Sequence, residues 1–130
     1  MRRLVPAAIA LVGLALLAAD APAPHFVLLG DRTGEVQIGV FERIWRQISE
    51  GKAEFVVSVG DSIQGGNDAS AESEWRAFRR VLEPYSKIPL YLAPGNHDIW
   101  SAVSERLFQQ FAGHPPLQFR RGRRAFCGAG

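Results

Sequence analysis

Three short apolar runs, each closed by a glycine and a polar residue able to hold a cation, constrain this chain more than any other feature. Phe26-Val27-Leu28-Leu29 runs into Gly30-Asp31, and Phe55-Val56-Val57-Ser58-Val59 runs into Gly60-Asp61. Ile88-Pro89-Leu90-Tyr91-Leu92-Ala93 leads, after Pro94, into Gly95-Asn96-His97-Asp98. Short continuous apolar runs bounded by turn residues read as buried strands, here over His25 to Gly30, Phe55 to Val59 and Leu90 to Ala93. The stretches between them carry a different period. Val36 to Glu50 places Ile38, Phe41, Ile44, Trp45 and Ile48 at helical spacing, and Gly51 ends it. Ala71 to Glu83 turns Trp75, Phe78, Val81 and Leu82 inward and stops at Pro84. A third helix, capped by Asp98 or Ser101, extends to about Phe111 with Val103, Leu107, Phe108 and Phe111 inward.

Strand, helix, strand, helix, strand predicts right-handed crossovers and a parallel sheet, hence an α/β fold. Parallel strands end on a common edge, where such proteins build their sites. A lone aspartate after a strand is ordinarily a turn or cap residue. Two of them, followed by Asn-His-Asp after a third strand, put carboxylate, carboxylate, amide and imidazole on one edge.

The chain has 130 residues, the length of one small domain. Met1-Arg2-Arg3 is a basic start and Leu4 to Ala19 is nearly all apolar, with small residues at Ala21-Pro22-Ala23. This predicts a signal peptide or N-terminal anchor over residues 1–23, an exported (periplasmic or extracellular) protein, and a membrane tether through residues 4–19 if the segment is retained. Without Arg2 and Arg3, the 15 basic residues fall to 13 and balance the 13 acidic ones. The body is therefore neutral. Arg120, Arg121, Arg123 and Arg124 read as a solvated tail, with no stacking platform that would make a nucleic-acid-binding module. The single Cys127 excludes an internal disulfide and has no organised partner nearby, so it reads as a stray thiol.

The chemistry open to such an edge is specific. A carboxylate can bridge two divalent cations, a neutral amide oxygen adds a ligand, and two metals about 3.5–4 Å apart can clamp a phosphate and generate hydroxide. A neighbouring histidine can stabilise developing charge or protonate a leaving oxygen. A second carboxylate, Asp98, could hold that imidazole in the useful tautomer.

Gly30-Asp31, Gly60-Asp61 and Gly95-Asn96-His97-Asp98, at this strand–helix spacing, resemble the calcineurin-like metallophosphoesterases over about residues 25–112. The resemblance implies a four-layer α/β/β/α sandwich, two divalent metal ions (Mn, Fe or Zn) and a phosphate-ester substrate. It implies that Asp31 binds the first metal, Asp61 bridges both, Asn96 binds the second and His97 contacts the phosphate. The family's first motif is usually Asp-x-His, whereas here it is Asp31-Arg32-Thr33. Arg32 is then expected to face the substrate phosphate. The family's later Gly-His-x-His element has no counterpart. His114, in Gly113-His114-Pro115-Pro116, reads as a loop residue, and His25 as structural. Leu117 to Gly122 resembles the family's short strand and turn, and Arg124-Ala125-Phe126 resembles the start of its next core strand. Residues 24–130 are thus expected to form a partial domain of about three βα units, with a weak, oxygen-rich metal site.

Two other readings stay open. Gly60-Asp61-Ser62-Ile63 and Gly66-Asn67-Asp68 resemble two blocks of the GDSL or SGNH esterases, with Ser62 as nucleophile and Gly66 and Asn67 as oxyanion donors. Those blocks are normally far apart, and the partner Asp-x-x-His is missing. The other reading is a non-catalytic exported domain. A dinucleotide-binding fold is disfavoured, because no Gly-x-Gly-x-x-Gly follows the first strand.

Overall fold

The computed structural model describes residues 23–34, 37–113, 118–121 and 124–127. The N-terminal segment read as a signal or anchor lies outside them, save Ala23, and so does His114. Among the described residues no helix is long and apolar enough to cross a membrane.

The three apolar runs form strands β1 (Phe26–Leu29), β2 (Phe55–Ser58) and β3 (Leu90–Leu92). They make one parallel sheet in the order β1-β2-β3, with Phe26 opposite Phe55 and Val56 opposite Leu90. The connections are helices α1 (Val40–Glu50) and α2 (Asp68–Leu82), and α3 (Ala102–Ala112) follows β3. This is the expected α/β arrangement. A sheet whose strands add in sequence order by right-handed crossovers carries its connecting helices on one face.

The residue alternation of the strands sorts the two faces. Val27, Leu29, Val56, Leu90 and Leu92 belong to one cluster with Phe41, Trp45 and Ile48 of α1, Trp75 and Phe78 of α2, and Phe108 of α3. On the other face Phe26 stacks on Phe55 at 5.0 Å, and Phe55 meets Tyr91 edge-on at 6.0 Å. Trp75 is the hub of the helical side, touching Phe78, Phe108 and Phe111 at ring distances of 5.6, 5.7 and 6.2 Å. Truncating so large a buried aromatic typically costs about 3–5 kcal/mol.

The helix starts differ from expectation in instructive ways. The first helix begins at Val40, not Val36, because the chain turns at Gly39. Ile38, expected inward, is left fully exposed. The second begins three residues early, since Asn67 caps it by accepting the Ala69 N–H at 3.0 Å. In the third, Ser101 and not Asp98 is the cap, forming a reciprocal box with Ser104. Ser101 also donates to Asp68 at 2.7 Å, tying the starts of α2 and α3 together beside the sheet edge.

Strands β4 (Gln118–Arg121) and β5 (Arg124–Cys127) form a separate antiparallel pair, with Phe119 opposite Phe126. Arg124 to Phe126 therefore does not extend the parallel sheet as expected.

Candidate functional site

The site is built where the exits of β2 and β3 run against each other. Gly60, with φ +104°, lies so close to the next loop that a Cβ there would sit 2.5 Å from the Gly95 nitrogen. Gly95 in turn backs directly onto the Asp61 side chain. Asp61 holds a left-handed φ of 56°, uncommon for a non-glycine residue. These two glycines let the carboxylate-bearing loop and the Asn-His-Asp loop share one position. The result is a direct bond, in which the His97 N–H donates to Asp61 Oδ1 at 2.9 Å.

Asp98 is the rivet. It is fully buried, and its Oδ2 accepts the N–H groups of Asp61 at 2.8 Å and Gly95 at 2.9 Å, while Oδ1 accepts Ser62 N–H at 2.8 Å. Burial pushes its carboxyl above the ordinary range, and the N–H donors of Gly95, Ser62, Asp61 and Ile63 pull the other way. Asp98 was expected to orient the imidazole. Instead its oxygens are committed to the backbone of both loops, and the Gln64 carbonyl takes up His97 Nδ1 at 2.6 Å. A carbonyl only accepts, so Nδ1 carries the proton, and Nε2 has no hydrogen-bond partner among the described residues.

Asp31, at the end of β1, is exposed, and its Oδ1 accepts both the hydroxyl and the N–H of Thr33 at 2.5 Å. The Thr33 hydroxyl, then its N–H, holds the Asp31 carboxyl below the ordinary value, and the charge of His97 lowers it further. Asn96 is exposed between Gly95 and His97. Arg32 is held inward, with its guanidinium 4.7 Å above the Phe41 ring and Nη1 donating to the Ser62 carbonyl at 3.3 Å. Its backbone N–H donates to the Asp61 carbonyl at 3.0 Å, so β1 and β2 are joined at the same edge. Burial lowers the Arg32 pKa, partly offset by the charges of Glu42 and Glu74.

Asp31, Asp61 and Asn96 offer carboxylate and amide oxygens, the donor chemistry of a hard divalent cation. Among the described residues no three His, Cys, Asp or Glu side chains come together as a metal-binding group. These residues therefore supply oxygen donors that are not gathered into such a group, without the imidazoles that strengthen binding of Zn, Fe or Mn. Beside Asp31 opens a cavity of about 410 Å³, lined by Arg32, Thr33, Gln37, Val40 and Phe41 among others. A larger cavity of about 630 Å³, bordered by Arg76, Arg79, Arg80 and Tyr85, holds none of the candidate residues. Size does not mark the site here; chemistry does.

The esterase reading finds no support. Ser62 is 3% exposed, and its hydroxyl has no partner among the described residues, so no base is in place to activate it. Asn67 instead caps α2 through its Oδ1. Glu74 and the Gln64 carbonyl, by contrast, join the site from outside the strand-end motifs. Their only signal in the sequence is the Gly65-Gly66 pair, which marks a tight backbone approach.

A family model for calcineurin-like phosphoesterases matches residues 24–129, covering all three strand-end motifs. No curated protein matches the chain.

Proposed function

Because the chain belongs to the calcineurin-like phosphoesterase family, we propose that it is a metal-dependent phosphoesterase, hydrolysing a phosphomonoester or phosphodiester at the shared end of β1, β2 and β3. The observation that carries this reading is the bond from the His97 backbone N–H to Asp61 Oδ1, which holds the loop bearing the imidazole against the loop bearing the carboxylate. Asp31, Asp61 and Asn96 would hold two divalent ions of the Mn, Fe or Zn class. Such ions polarise a phosphoryl oxygen and lower the pKa of water.

The chain's own groups do the rest. His97, with Nδ1 donating to Gln64, presents Nε2 to a phosphate oxygen. When protonated it stabilises charge there, and it can pass that proton to the leaving oxygen. Arg32 braces the loop behind Asp61 through the Ser62 carbonyl. It reaches the substrate only if it leaves the Phe41 ring. Asp98 supports the geometry from behind, its oxygens taken by backbone N–H groups of the two loops. The basic start and apolar run of residues 1–23 support export of the protein, with residues 24–130 as the phosphoesterase portion.

The test uses the purified 130-residue chain. Mn²⁺ binding is followed by the paramagnetic resonance of the free ion, and turnover by p-nitrophenol release from the mono- and bis-esters of phosphate. The expected result is weak Mn²⁺ binding that Asp61→Asn removes. Slow, chelator-sensitive hydrolysis should fall about 10²-fold in His97→Ala. Mn²⁺ binding that Asp61→Asn leaves intact would overturn the assignment. Binding without any turnover would favour a non-catalytic exported domain.

A further inference from the structure

Glu74 belongs to none of the strand-end motifs. It lies in the second turn of α2, yet its carboxylate reaches out of the helix. Oε2 accepts the Gly65 N–H at 2.9 Å, nine residues away, and Oε1 accepts the Ser70 hydroxyl at 2.7 Å. The second contact alone would be a local helix bond between residues four apart. The first has a longer reach.

The N–H of Gly65 and the C=O of Gln64 are two ends of one planar peptide unit. That carbonyl accepts His97 Nδ1 at 2.6 Å. A carboxylate and an imidazole are thus joined through a single rigid peptide, each hydrogen-bonded to one side of it. Fixing the N–H fixes the direction of the C=O opposite. A negative charge on the N–H side also draws electron density toward the oxygen, making it a stronger acceptor.

We propose that Glu74 is a positioning residue for His97, acting through the Gln64–Gly65 peptide to hold the imidazole as its Nδ1–H tautomer with Nε2 toward the substrate. The inference rests on the reading of His97 as the phosphate-facing group. Two further features support it. Gly65, with φ +66°, has no room for a Cβ, which would collide with the His97 carbonyl and with Trp100, so the peptide is pressed against the residue it orients. On the upstream side, Arg32 holds the Ser62 carbonyl and interacts electrostatically with Glu74. The loop from Ser62 to Gly65 is therefore held at both ends.

The experiment is long-range ¹H–¹⁵N correlation of the imidazole signals in the metal-free, full-length protein, at a pH where the ring is neutral. Wild type is compared with Glu74→Gln and Glu74→Ala, and His97→Ala assigns the peak. Wild-type His97 is expected to carry its proton on Nδ1. Glu74→Gln keeps an acceptor for Gly65, so the tautomer should persist while the Gly65 amide proton moves upfield with the loss of charge. Glu74→Ala should bring the Nε2–H tautomer to a measurable fraction. A wild-type Nε2–H tautomer, a Gly65 amide signal unmoved in Glu74→Gln, or an unchanged tautomer in folded Glu74→Ala would each overturn the proposal. Should Glu74→Ala fail to fold, the Glu74→Gln spectrum decides alone. None of these signals depends on metal or turnover, so failure of the phosphoesterase reading and failure of this one are told apart.

Discussion

The two Gly-Asp dipeptides look alike in the sequence and should respond oppositely to the same substitution. In Gly60→Ala the new methyl would lie 2.5 Å from Gly95 N, 2.8 Å from Gly95 Cα and 2.9 Å from Pro94 C. Favourable carbon contacts begin near about 3.5 Å, so the two loops would have to part by roughly 0.6–1 Å. All three obstacles are backbone, and no rotamer relieves them. Overpacking of this kind costs about 1–3 kcal/mol. An L-residue forced to the φ of +104° adds about 1–3 kcal/mol. The total, about 2–6 kcal/mol, is a large part of the roughly 5–15 kcal/mol that stabilises a domain. With a urea m-value of about 2 kcal/mol/M, the midpoint should fall by about 1–3 M. Gly30 has nothing within 4 Å of its virtual Cβ and no positive φ, so Gly30→Ala should stay within about 0.5 kcal/mol of wild type. Urea unfolding of both variants, followed by tryptophan fluorescence, measures the difference directly. Parting the loops would also pull the His97 N–H from Asp61, and Mn²⁺ affinity should fall in Gly60→Ala alone. Equal midpoints for the two variants would refute the claim that the exits of β2 and β3 are locked by backbone contact.

Three other outcomes follow from the site. Asp98→Ala leaves the N–H groups of Asp61, Ser62 and Gly95 without their acceptor, and the loss should reach about 3 kcal/mol in urea unfolding; a change below about 1 kcal/mol would mean water replaces the carboxylate freely. Thr33→Val removes the hydroxyl that most lowers the Asp31 pKa, so the Asp31 carboxyl should titrate at higher pH by carbon-detected NMR. Because the folded-state value lies below the unfolded one, Asp31's contribution to stability is present above the unfolded pKa and lost as pH falls through the folded one; in Thr33→Val that acid loss should begin at higher pH. Ser62→Ala deletes a buried hydroxyl with no partner among the described residues, and both stability and any phosphatase activity should hold or rise slightly; loss of an esterase activity on substitution would revive Ser62 as a nucleophile.

What could be read from the sequence was whatever repeats as a side-chain pattern. The apolar runs at Phe26, Phe55 and Leu90 announced three strands, and the spacing of Phe41, Trp45 and Ile48 announced the face of α1. The strand-end polar residues marked the edge where the site lies. Errors came where one local signal outranked another: Gly39 overrode the apolar rhythm at Ile38, and Asn67 captured the start of α2 ahead of Ala71. The position of Asp98 beside His97 suggests a side-chain pair, whereas its partners are backbone N–H groups of both loops. The inward hold on Arg32, expected to face the substrate phosphate, was not legible because its aromatic neighbours, Phe41 and Phe78, are distant in sequence. Contacts between backbone groups, such as Gly60 against Gly95, leave no trace except the glycines themselves.

The carbonyl that receives His97 belongs to Gln64, whose side chain is exposed and takes no part in the contact. Every amino acid brings the same carbonyl to that place. A saturation library at position 64 should therefore look permissive, scoring a position in direct contact with the imidazole as dispensable. Position 65, one step on, should tolerate almost nothing. Drift at the first and rigidity at the second would be two readouts of a single peptide bond.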